Sequence, residues 1–108
     1  MEKEYLGELE ELILLLILTL KEEAYGLAIS KALKERANRT VTIGAVHGTV
    51  TRLEKKGFIE STLGGATEER GGRRKRLFTL TASGKKVLQK SRDVKVTLWA
   101  QIPELAVK

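Results

Sequence analysis

The stretch IESTLGGATEERGGRRKRLFTLT, residues 59–81, decides how the rest of the chain is read. Two runs that alternate apolar and polar side chains, FIESTL from Phe58 to Leu63 and RLFTL from Arg76 to Leu80, have the length of ordinary strands. The connection from Gly64 to Lys75 contains four glycines, and the seven residues from Arg70 to Arg76 carry five cationic side chains. Such a connection has no large apolar group to bury, so it belongs in solvent. The pattern predicts a hairpin that holds a basic loop away from the body of the domain.

Helical patterns lie on both sides of the hairpin. Residues 4–21 predict a first helix, with glutamates in its first turn where they favour the positive end of the helix dipole. Its apolar run LILLLILTL, Leu12 to Leu20, is nine residues long, about half of the ~20 needed to span a bilayer, and so predicts burial between other elements. In residues 24–37 the apolar Tyr25, Ile29, Ala32 and Leu33 recur at three- and four-residue steps, which predicts an amphipathic second helix. A third helix is predicted over Gly44 to Lys56, with Val46, Val50 and Leu53 on its inner face, Thr42 as N-cap and Gly57 just past its end. Its outward face then presents His47, Thr49, Thr51, Arg52, Lys55 and Lys56. Beyond the hairpin, Thr81 caps a fourth helix whose apolar stripe is Val87, Leu88, Val94, Leu98 and Ile102, and Pro103 stops it near Gln101.

Composition narrows the function. A chain of 108 residues forms one domain, too short for two independent cores. It carries 20 Lys and Arg against 14 Asp and Glu, a formal net charge of +6. The charge is divided unevenly: residues 1–24 have a net of −5 and residues 25–108 a net of +11, so the basic surface belongs to the body and suits a polyanionic partner. The absence of cysteine removes disulfides, thiol nucleophiles and thiolate metal sites. With one histidine, no phosphate-cradling loop and carboxylates concentrated at helix starts, neither catalysis nor a cofactor is expected. The acidic start MEKEYLGELEE is unlike a secretory signal, and a cytoplasmic protein with no membrane partner is expected.

Three helices, a two-stranded hairpin with a basic loop and a trailing helix give an α+β, mostly α, fold in the order of a winged helix-turn-helix domain. Residues 1–80 would form the DNA-binding part and residues 81–108 a dimerisation helix, in one continuous domain. The third helix can enter a major groove about 12 Å wide while the loop reaches the flanking backbone. Candidate contacts to double-stranded DNA are Arg39, Thr40 and Thr42 before the helix, His47, Thr49, Arg52 and Lys55 on it, and Arg70, Arg73, Arg74 and Lys75 in the loop. Leu12 and Leu16 of the first helix and Val94, Leu98, Trp99 and Ile102 of the last are the candidate dimer contacts.

Four segments, LGELEELILLLIL, EEAYGLAISKAL, RLEKKGFIES and GGRRKRLFTLTASGKKVL, resemble the successive signatures of PadR-type transcriptional regulators in order and spacing. The resemblance covers roughly Leu6 to Leu88 and is to the short form of the family, with a single C-terminal helix. It implies a dimeric repressor that binds a palindromic operator, with dimer contacts from the first and last helices. It also implies a small apolar effector held between subunits near Trp99. The chain departs from the family in carrying His47-Gly48 where Tyr-Pro is common.

Overall fold

A computed structural model describes residues 6–64 and 75–105. Helix α1 spans Glu8–Leu20, α2 Gly26–Ala37 and α3 Ile43–Lys55; the strands β1, Ile59–Leu63, and β2, Arg76–Leu80, follow, and α4 spans Ala82–Ala100. Short 3-10 turns at Lys21–Glu23 and Pro103–Leu105 complete the order. The strands pair antiparallel with Ile59 opposite Leu80 and Leu63 opposite Arg76. This is the winged helix-turn-helix arrangement that the sequence predicts, mostly helical with one hairpin.

The core is assembled from the expected stripes. Ile13, Leu14 and Ile17 of α1 meet Ile29 and Leu33 of α2, Val46, Val50 and Leu53 of α3, Ile59 and Phe78 of the hairpin, and Val87 and Leu88 of α4. Burial of these side chains contributes ~1.5–3 kcal/mol each relative to exposure, which is why α1, apolar around much of its circumference, sits in the middle. Between α2 and α3 the chain turns at Asn38, whose φ of 58° is left-handed, and the Ser30 hydroxyl donates to the Val41 carbonyl at 3.0 Å to fix the turn.

One expectation is corrected here. The segment Ala24–Tyr25 does not begin α2; Tyr25 bridges Leu77 as an antiparallel pair, and the Phe78 amide donates to the Ala24 carbonyl at 2.9 Å. The outer edge of β2 thus gains a partner, and α2 starts only after it.

Helix α3 closes through Gly57 at φ 83°, where the Gly57 amide reaches the Glu54 carbonyl and the Phe58 amide the Leu53 carbonyl, both at 3.0 Å. Phe58 then receives α4. Its carbonyl accepts from the Thr81 amide at 3.0 Å, and the Thr81 hydroxyl donates to the Gly57 carbonyl at 2.7 Å while accepting from the Gly84 amide at 3.0 Å. A Cβ on Gly84 would lie 2.0 Å from the Phe58 carbonyl oxygen, so only glycine permits this approach.

From Arg92 to Ala100 every residue of α4 is exposed. The radius of gyration is 15.6 Å, against ~13 Å for a compact domain of this length, because this half of the helix projects from the body. Gly84→Ala is expected to destabilise the fold by about 3 kcal/mol or more, since backbone rather than a movable side chain blocks the new methyl. Urea denaturation checks this, and an unchanged midpoint would show that the α4 start is free to shift.

Candidate nucleic-acid interface

Helix α3 presents its first turns at the surface. Thr42 caps it, the hydroxyl accepting from the Ala45 amide at 3.1 Å, and Ile43, Gly44, Ala45 and His47 are all exposed. Between the starts of α2 and α3 and the first half of β2 lies an open groove of about 720 Å³, walled by Tyr25, Leu27, Ile43 and His47, with Lys75 and Arg76 at its rim. The Lys75 ammonium stands 4.3 Å from the centre of the Tyr25 ring. That cation–π contact is of a kind that contributes ~0.5–1 kcal/mol at exposed sites, and it holds a charge at the mouth of the groove.

Thr49 is a correction. It is not on the outward face: it is 2% exposed, and its hydroxyl donates to the Ala45 carbonyl at 2.9 Å. The step of 100° per residue puts position 49 next to the Val46–Val50–Leu53 stripe, so the side chain is buried while the backbone satisfies its hydroxyl proton. Thr51 stays outside but donates to the His47 carbonyl at 2.8 Å.

The cations divide into engaged and open. Arg52 Nε lies 3.7 Å from Glu10 and its Nη2 3.3 Å from the Thr49 hydroxyl, while Lys56 pairs with Glu10 at 3.0 Å. Arg39 pairs with Glu8 at 3.0 Å. Arg76 donates to Ser61 at 2.7 Å and approaches Glu54 at 4.0 Å. Thr40 and Lys55 are exposed, and among the described residues Lys55 makes no ion pair. Arg70, Arg73 and Arg74 lie outside the described residues.

Glu10 has no place among the sequence-derived candidates, yet it organises the far end of α3. Burial pushes its carboxyl up, but the Gly7 amide at 2.9 Å, the Lys56 ammonium and the Arg52 guanidinium together outweigh burial and hold it below its ordinary value. Its sequence signal was the acidic first turn, which is equally explained by the helix dipole.

The expected dimer residues separate likewise. Leu16 is 8% exposed and belongs to the core of the domain, and Leu12 packs against that core; the exposed leucines of α1 are Leu15 and Leu18. Val94, Leu98, Trp99 and Ile102 are 38–55% exposed, and Val96 and Leu105 are exposed as well. The Lys95 ammonium pairs with Glu11, which ties the projecting helix to the start of α1.

The family model described as the transcriptional regulator PadR-like family matches residues 14–90. This chain belongs to the PadR-like family. An uncharacterised protein of Lysinibacillus sphaericus is 34% identical over 101 residues, covering 92% of this chain and 84% of that protein. A PadR-like transcription factor from Bacteroides fragilis superposes with a TM-score of 0.74 at 28% identity, covering 93% of this chain and 91% of the other. A PadR-like regulator from Bacillus cereus gives 0.72 at 25% identity, covering 90% and 89%. Bacillus subtilis PadR, solved in complex with operator DNA, shares the fold with a TM-score of 0.62 at 21% identity, over 77% of this chain and 45% of that one. Among the described residues no helix of this PadR-like chain is long and apolar enough to cross a membrane.

Glu10→Gln is expected to cost about 1 kcal/mol at pH 7. The folded carboxyl titrates below its unfolded value, so its stabilisation is fully present above the unfolded value and is lost as pH falls through the folded one. Wild type and variant should therefore converge in acid. A gap that persists unchanged from pH 7 to pH 3 would show that the charge is not what holds α1 to α3.

Proposed function

We propose that the chain is a homodimeric, sequence-specific repressor of transcription that binds a palindromic operator. The observation that carries this reading is the placement of the exposed start of α3 beside the start of β2, at the loop end of the hairpin, where Lys75 and Arg76 border the same groove. Membership of the PadR-like family and the operator complex of Bacillus subtilis PadR support it. Helix α3 enters the major groove and reads base edges. The hairpin loop, with Arg70, Arg73 and Arg74, lies along flanking phosphates and supplies affinity that does not depend on sequence.

Thr42, His47 and Arg52 are the proposed polar contacts of α3, with Arg39, Thr40 and Lys55 directed at phosphates. Arg52 must give up its hold on Glu10 to reach guanine, or keep it and meet the backbone instead. The two-fold partner comes through α4, whose Val94, Leu98 and Trp99 leave an apolar face that this domain does not cover by itself. A flat apolar effector would enter at Trp99, between the two copies of that helix.

Selection from a random duplex pool tests the reading. A single palindromic winner, bound at least ~10³-fold more tightly than random DNA at physiological salt, is expected, with half-sites ~34 Å apart. Binding without preference and with a steep salt dependence would make the chain a general polyanion binder. No binding at all would leave an interaction module on the same scaffold. Sedimentation should give a dimer for the wild type and a monomer for Leu98→Glu/Trp99→Glu; a dimer in both would remove α4 from the interface.

A further inference from the structure

The first two turns of α3 have few polar groups left to offer a base pair. Thr42 caps the helix, and the hydroxyls of Thr49 and Thr51 donate their protons to carbonyls one turn back. Arg52 sits at the far end of the helix and is engaged by Glu10 and Thr49. His47 is then the one polar side chain facing outward from these turns besides the cap. What stands beside it is Ile43, 48% exposed at the first helical position, followed by Gly44 and Ala45.

The glycines on this face are not explained from within. A Cβ at Gly44 would meet only the Thr42 hydroxyl at 3.9 Å, and one at Gly48 would meet nothing within 4 Å. Each glycine lowers helix propensity by ~1 kcal/mol, and no internal close approach accounts for either. A helix surface stripped of side chains on one side of an exposed isoleucine, beyond His47, is suited to close contact with something outside, and the N-terminal residues of such a helix are those that face base edges. In the major groove the one apolar feature of a base edge is the thymine 5-methyl group.

We propose that Ile43 is a specificity-determining residue that packs against the 5-methyl group of a thymine in each operator half-site. Gly44 and Gly48 leave the helix surface bare on the side of Ile43 beyond His47, and His47 supplies the neighbouring hydrogen bond. An apolar contact separates thymine from cytosine, whose corresponding edge carries no methyl and a polar amino group. The inference rests on the DNA-reading function above and names the base chemistry that function recognises.

The test uses the duplex recovered by selection, with each thymine replaced in turn by deoxyuridine, which removes the methyl and keeps the pairing. One position per half-site should weaken wild-type binding about fourfold, the equivalent of one methyl-sized group left unburied. Ile43→Ala should bind the thymine duplex correspondingly less tightly and show no further loss with uracil at that position, with Ile43→Val intermediate. A selected duplex whose uracil forms all bind the wild type equally would overturn the inference while leaving the repressor reading intact. So would an Ile43→Ala variant as sensitive to uracil as the wild type. A pool that yields no preferred duplex would instead remove the repressor reading, and this inference with it.

Discussion

The direction in which α4 leaves the domain depends on one contact, the approach of Gly84 to the carbonyl of Phe58. Within that junction α3 ends, β1 begins, β2 has just finished and α4 starts. The Gly57 carbonyl accepts the Thr81 hydroxyl and the Phe58 carbonyl accepts the Thr81 amide, so the two chain segments are joined by backbone atoms on at least one side of each bond. Backbone geometry varies far less than side-chain rotamers. The orientation of α4 relative to α3 is consequently set by peptide groups, and side-chain packing behind them only confirms it.

The elements were legible because their periods and punctuation agree. Helical spacing in α2 and α3, the Thr42 and Thr81 caps, Gly57 after α3 and Pro103 after α4 each carry local physics that no neighbour overrides. Where the reading failed, the reason was tertiary. Ala24 and Tyr25 read as helix because Tyr25 falls on the apolar stripe, and only the edge of β2, more than fifty residues later, draws them into an extended pair. Thr49 read as polar and outward, whereas it is buried with its hydroxyl turned back to the Ala45 carbonyl. Leu12, Leu15, Leu16 and Leu18 cannot be told apart by sequence in an apolar run, since only the placement of α2 and α4 decides which sides of α1 are covered.

The same division holds for charge. A net of +11 over residues 25–108 suggests a surface free to meet phosphate, yet several of those cations are already held by Glu8, Glu10, Glu11 and Glu54. Three of these four acids come from α1. The acidic segment and the basic body, which look separate along the chain, are thus interleaved in space, and Lys55 and Lys75 differ from Lys56 in what lies beside them. Which cations remain open was outside the reach of composition, because it depends on where α1 crosses α3.

The length of α4 turns its junction into the pivot of a lever. Nineteen helical residues extend ~28 Å, so a tilt of ~5° at Gly84 carries the far end ~2.5 Å sideways. In a dimer joined near Trp99 that displacement applies twice and in opposite senses, which is more than the rise of one base pair. Substitutions around Thr81 would therefore retune the distance between half-sites without altering any base contact, while exchanges at Ile43 or His47 would alter the base read without altering the distance. On the proposed function the two properties lie in different parts of the fold, and a lineage could change one while holding the other fixed.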